Sequence, residues 1–252
     1  MTLEGNIALV TGGSRGIGRA ISLKLAAEGA DIIINFFRNR GPAEETAQEI
    51  ERLGRRAYVI KANLGDPEKI DDLFRQLREQ TGGLDILIAN AASGFLRPAL
   101  QQDARGWDWT LNINARSLLL LAKQAAPLMA ERGGGSIVAI SSLGSQRVMA
   151  NYVAVGASKA ALEAIVRYLA VELAPQGIVV NAVSGGLVET EALEHFPNRE
   201  EMLRAGRELT PAGRLVTPED IAGVVHFLCT PVASMIRGQT IIVDGGYSLP
   251  AM

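Results

Sequence analysis

Short, β-branched apolar runs recur along this 252-residue chain at 6–10, 31–35, 57–60, 85–89, 136–141, 178–183 and 240–243, each separated from the next by a longer stretch of helical pattern. Continuous apolar runs of this length are what strands buried on both faces require. The alternation implies right-handed crossovers, and so predicts a single-domain α/β Rossmann fold over 1–252: a doubly wound, seven-stranded parallel sheet with helices on both faces. Ligands in such sheets bind beyond the carboxyl ends of the strands. No Ser/Pro-rich linker or internal repeat marks a boundary. The least regular stretch, 187–216, reads as a substrate lid within the domain.

The overall charge, 25 Lys+Arg against 27 Asp+Glu, gives no reason to expect nucleic acid or an anionic membrane as partner. The one cysteine, Cys229, has no internal disulfide partner, and no charged-then-apolar leader precedes the strand near Asn6, so a cytoplasmic location is expected. Nowhere do the ~18 uninterrupted apolar residues of a membrane span occur.

Two segments carry chemistry. The first is Thr11-Gly12-Gly13-Ser14-Arg15-Gly16-Ile17-Gly18, which follows the apolar run Ile7–Val10 and precedes an amphipathic pattern of Ile17, Ala20, Ile21, Leu23, Leu25 and Ala26. Glycines there let the backbone approach a pyrophosphate, and the helix N-terminus points free amides and positive dipole at it. The second strand ends Ile34-Asn35-Phe36-Phe37-Arg38-Asn39-Arg40, without the acid that bonds ribose hydroxyls. Arg15 and Arg38 are placed to take a 2′-phosphate bidentately, which favours NADPH. The second segment holds Tyr152 and Lys159, seven residues apart. At ~100° per residue, seven steps return to within roughly 20° of the same helix face, so both side chains can line one site. A phenol can stabilise negative charge on an acceptor oxygen during hydride transfer, and a nearby ammonium is expected to lower its pKa.

Together these segments resemble the short-chain dehydrogenase/reductase family, whose usual signature places Tyr and Lys four apart; here the residue four before Lys159 is Val155. The seven-residue spacing is similar to the divergent branch of enoyl-acyl-carrier-protein reductases, type III among them. The resemblance covers nearly the whole chain. It implies that Gly12, Gly16 and Gly18 are the nucleotide glycines, with Ser14, Arg15 and Ile17 beside the phosphates. It places Asn63 and Leu64 at the adenine, Asn90 at the adenosine ribose, and Gly186, Val188 and Thr190 on the nicotinamide side. Ala92 and Gly185 depart from the family's usual glycine and proline. Lys159 is implied to bond the nicotinamide ribose, Asn114 to support a water leading to that lysine, and Ser142 to bond the substrate carbonyl.

The implied reaction is NADPH-dependent reduction of the C=C bond of a trans-2-enoyl thioester. The spacing suits it, because hydride addition to the β-carbon gathers charge on an oxygen displaced from the nicotinamide. Ser93, Phe95, Leu96, Leu187, Leu193 and Phe196 are candidate acyl-pocket residues. Arg97, Arg147, Arg199, Arg204 and Arg207 are candidates to receive an acidic acyl carrier protein. His195 and His226 lack partnered motifs, so no metal is expected, and Trp107 and Trp109 read as packing residues. Apolar patterns around 107–132 and 151–175 exceed what the sheet requires; in the resembling family these helices pair subunits, implying a homotetramer. The rivals are a ketone or β-ketoacyl reductase using Ser142 and Tyr152, and a non-catalytic NADP-binding sensor.

Overall fold

The structure is a computed structural model, and it describes residues 2–188 and 199–249. Seven strands, β1 (Ile7–Thr11), β2 (Asp31–Phe36), β3 (Ala57–Lys61), β4 (Ile86–Ala89), β5 (Gly135–Ser142), β6 (Ile178–Gly185) and β7 (Thr240–Val243), form one sheet in the order β3-β2-β1-β4-β5-β6-β7. All neighbours are parallel. Every residue of β1 and β2 is buried, which explains the apolar runs Ile7–Val10 and Ile32–Ile34 within them.

Eight helices are described: α1 (Gly16–Ala27), α2 (Gly41–Arg52), α3 (Pro67–Thr81), α4 (Ala104–Leu111), α5 (Ser117–Ala130), α6 (Val153–Glu172), α7 (Arg199–Leu209) and α8 (Pro218–Leu228). One face of the sheet is sealed by Leu73, Leu77, Leu118, Leu121, Leu162 and Val166, the other by Ile21, Leu25, Ile50, Ile221, Val225 and Leu228. Local signals set the element ends. Asp66 accepts from the Glu68 N–H at 3.0 Å and Pro67 opens α3, which stops at Gly82 in the left-handed region. Thr217 and Asp220 form a reciprocal capping box at the start of α8.

Strand order reverses between β1 and β4, so a crevice opens at their carboxyl ends. The same end of the sheet carries the glycine turn after β1, Asn90 after β4, Ser142 on β5 and Gly186 after β6. Val188, three residues after β6, and Val216, just before α8, meet in an isolated parallel bridge. Beside this bridge, Leu203 and Leu215, with Leu187 packed against them, make a small cluster separate from both main cores. Thr190, Leu193, His195 and Phe196 lie outside the described residues.

Candidate active site

The glycine turn is built for close approach. Gly12 and Gly16 sit at φ +62° and +53°, a region that L side chains rarely adopt. A Cβ on Gly18 would lie 2.2 Å from the Gly12 carbonyl oxygen, so only glycine lets α1 begin against β1. No side chain caps α1, whose first residue is Gly16, so the first-turn amides are left without a side-chain cap, as an anion-binding helix start requires. These features fit a dinucleotide pyrophosphate.

Asn90 holds the turn from the far side of the switch point. Its Nδ2 donates to the carbonyls of Thr11 (2.9 Å) and Gly12 (3.2 Å), while the Thr11 hydroxyl accepts from the Asn90 and Ala91 amides and donates to the Ile88 carbonyl. The amide of Asn90 thus braces the glycine turn, a role the sequence does not reveal. Asn63 is partly committed too, since its Oδ1 accepts from the Gly65 N–H at 3.0 Å. The Leu64 side chain is 5% exposed and belongs to the core, which leaves its backbone to meet a base. After β2, Arg38 is exposed with its guanidinium over the Phe37 ring, whereas Arg40 pairs with Glu44 at 2.7 Å.

At the reacting end, the Tyr152 hydroxyl lies 3.3 Å from Ser142 Oγ, and the buried Lys159 donates from Nζ to the Ile140 carbonyl at 2.6 Å. The turn after β5 and the start of α6 therefore bring Ser142, Tyr152 and Lys159 to one place. Asn114 stands in a π-helical turn, Asn112–Arg116, joining α4 to α5. Such bulges are frequent at functional sites. Its Oδ1 accepts from the Ser93 N–H (2.8 Å) and its Nδ2 donates to Ser158 Oγ (2.9 Å), so its amide locks the loop after β4 to α6.

Two sequence expectations change. Helical arithmetic treated Tyr152 as part of the helix, yet it stands one residue before α6 with φ −106° and ψ 8°. Asn151, at φ +60°, turns the chain so that the phenol points back to Ser142; the ring lies on Gly144, where a Cβ would fall 2.5 Å from Tyr152 Cε1. Lysine was also expected to lower the phenol's pKa. Burial raises it instead, with the Ser142 hydrogen bond as a partial offset. Tyr152 is thereby kept a neutral donor. Burial brings Lys159 down to about 8, against an upward pull from Glu163.

Val155 is buried, at the position from which the commoner four-residue spacing would present its tyrosine. Its Cγ2 lies 2.4 Å from where a Cβ on Gly94 would be, so the isopropyl group packs directly on the loop after β4. Of the acyl-pocket candidates, Phe95 is 45% exposed on that loop. The Ser93 hydroxyl is taken by Trp109 Nε1 at 3.0 Å, and Leu187 packs under α7 against Leu203 and Leu215. In the basic set, Arg97 pairs with Asp103 and lies over the Phe95 ring, and Arg147 bonds the Ser248 carbonyl. Glu163, Gly144 and Asn151 are site residues that the sequence did not single out. For Glu163 the available signal was an acid one helical turn beyond Lys159 in an otherwise apolar stretch.

A dinucleotide cradle at the switch point, with a hydroxyl pair and a buried lysine beyond it, defines the class: an α/β oxidoreductase. A family profile described as Enoyl-(Acyl carrier protein) reductase matches residues 12–248, and the chain belongs to the short-chain dehydrogenase/reductase family. It is 39% identical to a 1-cyclohexenylcarbonyl-CoA reductase of Streptomyces collinus, over 97% of this chain and 88% of that one. It is 34% identical to the hydroxynaphthalene reductase-like protein Arp2 of Metarhizium anisopliae, over 97% of this chain and 96% of that one. Among solved structures, a short chain dehydrogenase from Burkholderia cenocepacia in complex with NADP superposes with a TM-score of 0.90 at 35% identity, covering 98% of this chain and 99% of that one.

Proposed function

We propose that the protein reduces the C=C bond of 2-enoyl thioesters with NADPH. The observation that carries this reading is the displacement of the phenol: Tyr152 reaches Ser142 from outside α6, while a buried valine fills position 155. In a carbonyl reduction, charge gathers on the oxygen of the carbon that receives hydride. In a conjugate reduction it gathers on the thioester oxygen, two carbons further along, and a donor set back along the site meets it there. The similarity to a reductase named for a thioester whose ring double bond is conjugated to the carbonyl supports the same chemistry.

NADPH, when bound, supplies the hydride. The glycine turn would hold its pyrophosphate, Arg15 and Arg38 its 2′-phosphate, and Lys159, through its ammonium, its nicotinamide ribose. Tyr152, kept protonated by burial, donates to the thioester oxygen as the enolate develops, and Ser142 fixes the phenol's direction. A proton from solvent, taken up at C2, completes the reaction. The stretch 187–216, whose described ends meet at the Val188–Val216 bridge, is proposed as the lid over the acyl chain, although its residues 189–198 lie outside the described residues.

A second reading, carbonyl reduction, draws on the Ser142–Tyr152 pair and on the similarity to a hydroxynaphthalene reductase-like protein. Steady-state NADPH oxidation with crotonyl thioester and with acetoacetyl thioester separates the two. Preference for crotonyl thioester is expected; preference for acetoacetyl thioester makes the enzyme a carbonyl reductase. We also propose that acyl carrier protein delivers the substrate to α7, where Arg204 and Arg207 lie. Charge reversal there should raise KM for the carrier-bound substrate alone. An equal effect on a small thioester would sink that part.

A further inference from the structure

Glu163 is 5% exposed, and the mechanism above makes no use of it. Its Oε1 accepts from the hydroxyls of Ser141 (2.5 Å) and Ser145 (2.7 Å). These two serines bracket Ser142, Leu143 and Gly144: the hydroxyl that directs the phenol and the seat of the Tyr152 ring lie between them. Glu163 also stands one helical turn beyond Lys159 on α6, on the same face. A buried carboxylate is costly unless hydrogen bonds and an opposite charge compensate it, and here both are supplied by the site itself.

We propose that Glu163 is a positioning residue: its carboxylate clamps the turn that carries Ser142 and Gly144, and its charge keeps Lys159 an ammonium. The proposal rests on the reading of Lys159 as the ribose-binding cation. Among the described residues, little else competes for that electrostatic role. Strands β5 and β6 and the turn Leu143–Ser145 contain no ionisable side chain. Arg116 of the π-helical turn is exposed and bonds the Gly65 carbonyl, and Arg105, Asp108 and Lys123 on α4 and α5 are exposed. Tyr152 is the other titratable group at the site, and it is held protonated. Burial pushes Lys159 toward the neutral amine, with Glu163 as the opposing charge.

Two substitutions separate the clamp from the charge. Glu163→Gln keeps an acceptor for both serines and removes the charge; Glu163→Asp keeps the charge and falls short of the serines. NADPH affinity, followed by its fluorescence from neutral to alkaline pH, reads the charge without any acceptor present. The alkaline loss of affinity in Glu163→Gln is expected about one pH unit lower than in the unsubstituted enzyme. Glu163→Asp should keep the original pH profile while kcat falls at unchanged KM for NADPH, and Ser141→Ala/Ser145→Ala should behave likewise. An unmoved profile in Glu163→Gln, or unchanged kcat in both clamp variants, overturns the proposal. Should Glu163→Gln fail to fold, the two clamp variants still decide the positioning half. If the unsubstituted enzyme binds NADPH but does not turn over crotonyl thioester, the C=C reading fails while the binding titration still decides the role of Glu163.

Discussion

Lys159 is the residue on which function and stability pull apart. Its folded-state pKa of about 8 lies below the ordinary 10.5, so between those values the unfolded chain holds a proton that the folded chain has lost. Stability therefore rises with pH across that window, by on the order of 3 kcal/mol from this group. The melting temperature of the unsubstituted apo-protein should rise relative to that of Lys159→Met as pH passes upward through the window; a constant difference would refute the burial argument. For function the sign is opposite, because the ammonium is the useful form, and kcat/KM should fall as pH rises through about 8. Gly144 is a second residue with a sharp requirement. A methyl group there would press on the Tyr152 ring, so Gly144→Ala should lower kcat roughly 10²-fold, about the effect of losing one oriented donor, with NADPH binding retained. Tyr152 and Lys159 were legible in the sequence as candidates, from their spacing. Gly144, Asn151 and Glu163 were not, because each matters through a contact with a distant part of the chain that no local pattern encodes.

At the scale of elements, the strand runs were legible to within a residue or two, because burial on both faces leaves an uninterrupted apolar signature. The start of α6 was not. A left-handed Asn151 ends the preceding turn, and so the tyrosine stands outside the helix that carries its lysine. This bears on a simple engineering idea, restoring the four-residue spacing with Val155→Tyr/Tyr152→Phe. A phenol at position 155 would have to displace the loop at Gly94, which already touches the valine, and Thr110 behind it. The double variant should recover neither crotonyl nor acetoacetyl turnover. Recovery of carbonyl reduction at more than a tenth of the original rate, measured by NADPH oxidation, would show that the loop yields and that spacing alone selects the reaction.

At the scale of the whole molecule, the sheet order places the glycine turn, the β5 turn and the Val188–Val216 bridge at the carboxyl ends of the strands, which leaves one crevice for the proposed cofactor and acceptor. The back of α5 and α6 is different: Leu119, Tyr168 and Val171 are 50%, 72% and 75% exposed. Apolar side chains grouped on paired helices are a surface for self-association. A tetramer is the assembly proposed, and Tyr168→Glu/Val171→Glu should sediment as a smaller species; a monomeric unsubstituted protein would contradict it. No helix among the described residues is long and apolar enough to cross a membrane.

The central claim is that hydride goes to the β-carbon while Tyr152 holds the charge on the thioester oxygen. The direct measurement is reduction of crotonyl thioester with NADPH deuterated at the nicotinamide C4, with the product read by mass spectrometry and proton NMR, in the unsubstituted enzyme and in Tyr152→Phe. Deuterium is expected at C3 and a solvent proton at C2, with a rate about 10²-fold lower in the variant at similar NADPH affinity. Deuterium on the carbonyl carbon of acetoacetyl thioester, with crotonyl thioester left unreduced, would contradict it.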